Sequence, residues 1–393
     1  MKDIFKKDSS YRPFLAAVLM TAIGYGVYKG ILDNYLAEVV QMGEMDRGIV
    51  EFFREIPGLL LVFITAVLYK FSAERMYKLG AVIMVAGMTM SAIISPTKVL
   101  VIIAIAMYSL GEHIQLSMRS SISLEYALED KGGAALGYQN SMNQIGSLFG
   151  LIIVMIAFAV CSGTGLFKPF FILAAILTAA AMLLSMRIKG SARSDESTHR
   201  FYFRKKFTKY YMLEVFYGAR KQVFLTFGPY VLILFYGANT AVISLLFAIS
   251  AIAGFLLSPV VGKIIDRFGY KIVMVSDTLI LVIVCFFYGF AHHIFSMDVA
   301  FIVCCVNYVL DSVISLASMA SNVYVQDISD SVEEMRATIS TGVSVNHLIT
   351  ILIALFGGYI WQSLGIETLF IISAVLGLCN SAYAASIKTK KRT

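Results

Sequence analysis

Charged residues are scarce in this sequence. They make up 15% of its 393 residues, against about 25% in soluble domains, while 59% of the residues are hydrophobic. The deficit extends along the whole chain, and the mean hydropathy is +0.79. This composition excludes a soluble globular protein and predicts a polytopic membrane protein.

Several catalytic motifs are also missing. The chain has no G-x-x-x-x-G-K-[S/T] phosphate loop, which argues against ATP as the energy source. It has no H-E-x-x-H pair, no nucleophile elbow and no soluble domain that could hold an active site. We therefore expect no enzyme activity and no cofactor.

Cysteine is rare and shows no metal-binding spacing. The five cysteines all lie in apolar runs, without a C-x-x-C pair or a Cys/His cluster. Small buried hydrophobic side chains explain them, so the sequence predicts no metal site. Similarly, no A-x-A-like cleavage site follows the first apolar run, which is therefore interpreted as a membrane span.

Apolar runs separated by polar breaks predict an all-α protein with twelve transmembrane helices. Each run can cross about 30 Å of hydrocarbon at 1.5 Å per residue. The predicted spans are 13–36, 48–68, 78–94, 98–120, 134–160, 168–187, 210–236, 240–261, 271–291, 297–318, 338–360 and 366–386.

Loop charges predict the orientation. Lysine and arginine are concentrated at both ends of the chain, after helices two and eight, and in the polar stretch 188–209. The opposite side carries only Arg47, Lys98 and Lys168. By the positive-inside rule both termini are cytoplasmic, in the cell (inner) membrane. The net charge of +7 is then explained without nucleic acid.

The central polar stretch divides the chain into three predicted parts. An N-terminal six-helix bundle spans 1–187, a cytoplasmic loop spans 188–209, and a C-terminal six-helix bundle spans 210–393.

The two halves share an internal repeat. Tyr25-Gly26-x-x-Lys29 returns 192 residues later as Tyr217-Gly218-x-x-Lys221. At a longer offset, the segment around Asn143 in helix five matches the segment around Asn346 in helix eleven. Matches that keep their order in equivalent helices indicate a duplicated six-helix unit, so the two bundles should be pseudo-symmetric.

One cytoplasmic segment carries a family signature. The stretch VVGKIIDRFGYK, residues 260–271, resembles the G-x-x-x-D-R-x-G-x-[R/K] motif of the major facilitator superfamily, with Gly262, Asp266 and Arg267 at its central positions. The first-half copy retains the acid–base pair Glu74-Arg75, but Lys70 and Tyr77 replace its glycines. The resemblance implies the superfamily fold and a gating role for Gly262, Asp266, Arg267, Glu74 and Arg75.

Charges inside the predicted spans are the candidate functional groups, because charge in a bilayer is costly and normally faces a cavity or a partner. Lys29 and Asp33 are spaced to pair along helix one, and Glu51 and Glu55 share a face of helix two. Further charges lie in helices four, seven and ten, namely Glu112, His113, Arg119, Glu214, Arg220, Lys221 and Asp311. Structural ion pairs are the alternative explanation for each.

Helices one and seven line the central cavity in the superfamily that the signature resembles. The resemblance therefore implies that Lys29 and Lys221 face each other and, with Arg220, bind an anionic group. Tyr25, Tyr217, Asn143 and Asn346, which belong to the repeat, complete the predicted substrate-binding set.

Carboxylates in the same spans are candidates for proton coupling. A buried carboxyl group can hold a proton near neutral pH. Glu112 is the first candidate, followed by Asp33, Glu55 and Asp311, with a buried ion pair as the alternative for Glu112. His292 and His293, at the outer end of helix nine, are interpreted as ordinary interface residues.

The sequence thus predicts a monomeric secondary transporter that moves a small anionic organic solute by alternating access, coupled to protons or another ion. Two alternatives stay open. The first is efflux of lipophilic cations through Glu51, Glu55, Glu112 and Asp311. The second is a membrane receptor that retains a transporter fold without transport, which the eroded first-half signature favours.

Overall fold

The computed structural model describes residues 4–7, 10–67, 71–128, 131–161, 163–189 and 203–387. Lys70 and residues 190–202 of the predicted central loop lie outside this part of the chain. In the first half the helices are α1 (Tyr11–Glu38), α2 (Glu44–Val67), α3 (Ala73–Ile93), α4 (Lys98–Tyr126), α5 (Gly132–Val160) and α6 (Phe167–Ser185). In the second half they are α7 (Thr208–Leu234), α8 (Thr240–Phe268), α9 (Tyr270–Ile294), α10 (Met297–Ile314), α11 (Met319–Ile328) and α12 (Val332–Ala385).

The largest departures from the predicted span limits lie in the last two helical stretches. α10 continues through a 3-10 turn at Ser315–Ser318 into α11, so the helical path extends ten residues beyond the predicted end at 318. α12 covers both of the last two predicted spans and is broken at Gly365, where φ is +88°. Glycine suits this break because the left-handed region disfavours other residues.

Within the described ranges, nine helices or helical stretches are long and apolar enough to cross a membrane. α2 and α7 are not among them. These two helices carry many of the charged side chains discussed below, which lowers their hydropathy.

The chain forms two compact units. The first contains residues 1–42, 53–197 and 239–248, and the second contains 43–52, 198–238 and 249–393. Two helix ends thus belong to the unit of the other half: the beginning of α2 packs in the second unit, and the beginning of α8 packs in the first. The residue sequence alone gave no sign of this exchange.

Glycine allows helices to approach closely in both units. In the first unit a Cβ at Gly26 would collide with the backbone of Ser147 and Gly150 on α5, and a Cβ at Gly146 would collide with α1. The G-x-x-x-G spacing of Gly146 and Gly150 therefore serves helix packing. In the second unit a Cβ at Gly218 of α7 would meet the side chain of Asn346 on α12.

Candidate functional site

Lys29 and Asp33 form the ion pair that their spacing predicts. Lys29 Nζ donates to Asp33 Oδ2 at 3.1 Å, and Asp33 is 1% exposed. The lysine also lies 4.7 Å from the ring centroid of Phe247, at the α8 end that belongs to this unit. Next to it, Ser244 Oγ donates to the carbonyl of Gly30 at 3.1 Å. The positive charge of Lys29 is therefore partly balanced within the first unit.

Glu55 and Glu112 differ in their partners. Glu55 is buried and pairs with its neighbour Arg54. The carboxylate of Glu112 is half-buried and makes no hydrogen bond or ion pair with the residues that the structure describes, although Arg54, Glu55, Arg119 and Lys29 act on it electrostatically. The first unit thus presents one carboxylate that is not held by a partner in the described chain.

Asn143 and Tyr25, both predicted to bind substrate, occupy different surroundings. Asn143 Oδ1 accepts a hydrogen bond from Arg119 at 2.6 Å, which links α4 to α5. Tyr25 is half-buried on α1.

His113 follows Glu112 on α4. It is buried, and its Nδ1 lies 3.1 Å from Ser109 Oγ.

Arg220 of the second unit is tied to an acid that the sequence analysis missed. Arg220 is 3% exposed and pairs with Asp277 of α9, which is also buried. Its guanidinium group lies 4.8 Å from the ring centroid of Tyr217. Asp277 falls inside the predicted span 271–291, so a complete search for acids within spans would have found it.

A small pocket that is partly open to solvent adjoins this ion pair. Tyr217, whose hydroxyl donates to the carbonyl of Ser315, forms part of its wall. Nearby, Glu214 accepts a hydrogen bond from Ser321 at 2.9 Å and another from Asn346 Nδ2 at 3.3 Å. The lining residues are Leu213, Tyr217, Met274, Asp277, Ala317, Ser318, Ser321 and Asn380.

Lys221 and Asp311 are charged but unpaired among the residues described. Lys221 is half-buried on α7, and the carboxylate of Asp311 on α10 is buried. Neither forms a hydrogen bond or ion pair through its side chain in that part of the chain. They interact electrostatically, and Lys221 also acts on Glu214. Ionisable groups inside a membrane span that have no bonded partner are candidates for binding or exchanging an ion or a proton.

The beginning of α2 brings a third set of charges into the second unit. Arg47 is 2% exposed and pairs with Glu51 at 2.9 Å, while Gln222 Nε2 donates to Glu51 Oε1 at 3.0 Å. The assignment of Arg47 to an outer loop was wrong, because α2 begins at Glu44 and not at residue 48. The predicted span began too late because charged residues were taken to end the apolar run. A buried ion pair allows such charges to lie inside the helix.

The two signature segments share one contact. Lys271 Nζ donates to the carbonyl of Ile387 at 2.9 Å, just after α12, and Lys78 Nζ donates to the carbonyl of Ile188 at 2.7 Å, just after α6. In each half, a lysine shortly after the acid–arginine pair thus binds a helix C-terminus, where the helix dipole favours positive charge.

The remaining signature residues differ between the copies. Asp266 and Arg267 are exposed, and Gly262 has open space where a Cβ would lie. In the first copy Glu74 is 2% exposed whereas Arg75 is exposed. The gating role of these residues stays a prediction.

One family model matches the second half of the chain. Residues 210–392 match the model of the Major Facilitator Superfamily. A search of curated protein sequences finds no match.

Solved structures share the fold over nearly the whole chain. A point mutant of the nucleoside transporter NupG has 16% sequence identity and a TM-score of 0.78, with 96% of this chain and 100% of that chain covered. A POT family transporter in complex with 5-aminolevulinic acid has 12% identity and a TM-score of 0.73, with 95% and 94% covered. A bacterial homolog of the human lysosomal transporter Spinster has 13% identity and a TM-score of 0.66, with 97% of both chains covered.

The match of residues 210–392 falls on the half that carries the complete signature, and the shared fold extends over the other half as well. Together they show that residues 210–392 resemble the Major Facilitator Superfamily and that nearly the whole chain shares the fold of solved transporters.

Proposed function

We propose that the protein is a secondary active transporter that moves a small organic anion across the membrane by alternating access, coupled to protons. The observation that carries this proposal is Lys221, a half-buried lysine within α7 whose side chain has no partner among the described residues. A lysine inside a membrane span is costly to keep charged without a counterion, so a ligand that supplies negative charge gains a large share of its affinity there.

Lys221 is the best of the three predicted cationic ligands. Arg220 is held by Asp277 and Lys29 by Asp33, so each already has a counterion. A carboxylate or phosphate would have to displace those acids before it could bind the same groups. The proposal therefore assigns the main contact with the substrate anion to Lys221.

The proton sites that fit best are Glu112 and Asp311. Each carboxylate lacks a partner in the described part of its unit, whereas Asp33 and Glu55 are paired. Protonation would remove an uncompensated charge, which lowers the free energy of a state closed to water. This change gives a proton gradient a means to drive the cycle.

The proposal includes the finer architecture. We infer twelve spans, with α10, the 3-10 turn and α11 counted as one and α12 counted as two across Gly365. Six spans belong to each half, both termini are cytoplasmic, and the protein works as a monomer in the cell (inner) membrane.

The proposal is tested first by binding and then by flux. Purified protein is screened by thermal shift against small carboxylates, phosphate esters, organic cations and neutral metabolites, and the hits are tested for uptake into proteoliposomes. We expect an anion to raise the unfolding midpoint of the wild type, and this effect to disappear in Lys221→Gln. Lys209→Gln is the matched control, because Lys209 begins the same helix but binds the Ser386 carbonyl at 2.7 Å.

Efflux of a lipophilic cation is the second candidate, because Glu112 and Asp311 lack partners in the described chain and could bind a cation directly. It predicts stabilisation by organic cations that is lost in Glu112→Gln or Asp311→Asn and kept in Lys221→Gln. Binding by any ligand without flux into liposomes would instead support the receptor alternative.

A further inference from the structure

Two histidines and one glutamate converge at one end of the second unit. His292 and His293 lie in the last turn of α9, and Glu367 follows the break of α12 at Gly365. The Nε2 atoms of the two imidazoles lie 3.3 and 2.9 Å from the same oxygen, Glu367 Oε1. The imidazole rings are 3.9 Å apart between centroids.

This donor set has the composition and the spacing of a transition-metal site. Two imidazole nitrogens and a carboxylate oxygen are common ligands of Zn²⁺, which binds them at about 2.0–2.2 Å in a tetrahedral arrangement. Two ligands of such a tetrahedron are roughly 3.3 Å apart. The observed N···O distances are close to that value, so small side-chain rotations would admit the ion.

We propose that His292, His293 and Glu367 bind a zinc ion, with the fourth position left to water. The site does not depend on the proposed transport function, and it is separate from the charges assigned to that function. It would join the end of α9 to the final helical segment of α12 within the second unit.

The surroundings hold the three ligands in place. At Gly365, with φ of +88°, a Cβ would lie 2.7 Å from Glu367 Oε2, so glycine both makes the break and leaves space for the carboxylate. The His292 ring packs against Phe235 at 4.7 Å between centroids. Its Nδ1 is buried without a hydrogen-bond partner in the described chain.

The position at a helix end adds a favourable field. The last carbonyl groups of α9 carry the negative end of its helix dipole, which stabilises a nearby cation. His293 and Glu367 are partly exposed, with 57% and 30% of their side-chain surfaces accessible, so the ion can enter from solvent. A hydrogen-bonded His–Glu cluster without metal is the competing explanation, and it predicts no zinc binding.

The experiment uses the full-length protein, purified in detergent through a tag without histidine and stripped with EDTA. ZnCl₂ is added during calorimetry and during thermal unfolding, with MgCl₂ as the control ion because imidazole ligands do not suit magnesium. We expect zinc, and not magnesium, to bind with one-to-one stoichiometry and to raise the unfolding midpoint.

Variants separate this site from other binding. His293→Ala and Glu367→Gln should each weaken zinc binding roughly tenfold or more. Asp298→Asn should bind zinc like the wild type, since Asp298 is an exposed acid at the adjacent start of α10. In EDTA, an unfolding midpoint equal to that of the wild type shows that a variant folds. Glu367→Gln is chosen because glutamine has nearly the same shape as glutamate.

Zinc binding that is absent from the wild type, or unchanged in the double variant His293→Ala/Glu367→Gln, would overturn the proposal. Loss of zinc binding with retained uptake of the transported solute would show that the metal site is distinct from the transport site. If neither the wild type nor any variant takes up solute while the wild type still binds zinc, the result contradicts the transport proposal and leaves the zinc proposal standing.

Discussion

The two units use the same glycine positions but carry different charges around them. Gly26 and Gly218 occupy equivalent places in the repeat, and each permits close approach to another helix of its unit. Two residues after each glycine, the first unit has Tyr28 and the second has Arg220. Tyr28 packs against Tyr108 at 4.6 Å between ring centroids, whereas Arg220 pairs with Asp277. The two segments therefore share glycines at close helix contacts, while the polar side chains around those glycines differ.

The repeat lysines differ in the same way. Lys29 has an acid four residues later, and Lys221 has Leu225 at that position. Only the first lysine can therefore pair along its own helix. Both halves have this lysine, but Lys29 pairs with Asp33 whereas the Lys221 side chain has no bonded partner among the described residues. The proposed function depends on Lys221 for this reason.

The candidate proton sites are the most symmetrical feature. Glu112 follows the first residue of α4 by fourteen positions, and Asp311 follows the first residue of α10 by fourteen. Both carboxylates lack a partner among the described residues. The comparison raises the question of whether both units bind the proton or only one.

The largest expected effect comes from neutralising these acids. We expect Glu112→Gln and Asp311→Asn to lower uptake driven by a pH gradient roughly tenfold or more, because a fixed neutral group can no longer exchange a proton. Exchange of solute without a gradient should persist in either variant. Uptake into proteoliposomes at several pH values is the measurement.

Glu112→Asp serves as the conservative control and should recover part of the coupled uptake. If only one of the two neutral variants loses the pH dependence, proton coupling belongs to one unit. If neither does, the proton proposal is wrong.

The next effect concerns the buried ion pair. Arg220→Met should lower the free energy of unfolding by about 3–5 kcal/mol, because it leaves the Asp277 carboxylate buried without its partner. The double variant Arg220→Met/Asp277→Leu should recover much of the loss. At the equivalent position, Tyr28→Phe should change stability little, since the Tyr28 hydroxyl is buried without a hydrogen-bond partner in the described chain.

Denaturant titration in detergent micelles measures these stabilities. A double variant that is no more stable than Arg220→Met would argue that Arg220 supports the fold through contacts other than Asp277, such as the face of the Tyr217 ring.

A smaller effect distinguishes the two glycine contacts. Gly26→Ala should destabilise by about 1–3 kcal/mol, because the added methyl group meets backbone atoms of α5 that cannot rotate away. Gly218→Ala should cost less, since its neighbour is the Asn346 side chain. Gly137→Ala on α5 has open space and should be neutral or stabilising. Thermal unfolding midpoints give the ranking, and equal losses at Gly26 and Gly137 would contradict it.

The smallest effects are expected at the signature lysines. Lys78→Met and Lys271→Met each remove one hydrogen bond to a helix C-terminus, for about 0.5–1.5 kcal/mol. Similar losses in both units would indicate that this contact is a conserved function of the repeat. If only Lys271→Met lowers stability, the contact with the helix C-terminus is stabilising only in the second half, which carries the complete signature. The unfolding midpoint of each single variant decides between them.

Much of the fold could be predicted from local sequence patterns. Long apolar runs indicated membrane helices because the bilayer sets both length and polarity, and the i,i+4 spacing indicated the Lys29–Asp33 pair because it depends on one helix only. Arg47 was misplaced because its partner was not considered, and Asp277 was overlooked although it stands within a predicted span.

The sequence by itself determined the helical membrane class and carried the signature that resembles the superfamily, because both depend on periodicity and motifs that are local in the chain. The tertiary structure decided which charged groups have bonded partners. Arg220 pairs with an acid 57 residues away, and Glu51 accepts a hydrogen bond from Gln222, which lies 171 residues away. The side chains of Lys221 and Asp311 have no hydrogen-bond or ion-pair partner in the described ranges. The tertiary structure also brought His293 to Glu367, 74 residues later. Pairing between helices depends on how they pack, and no spacing within one helix can specify it.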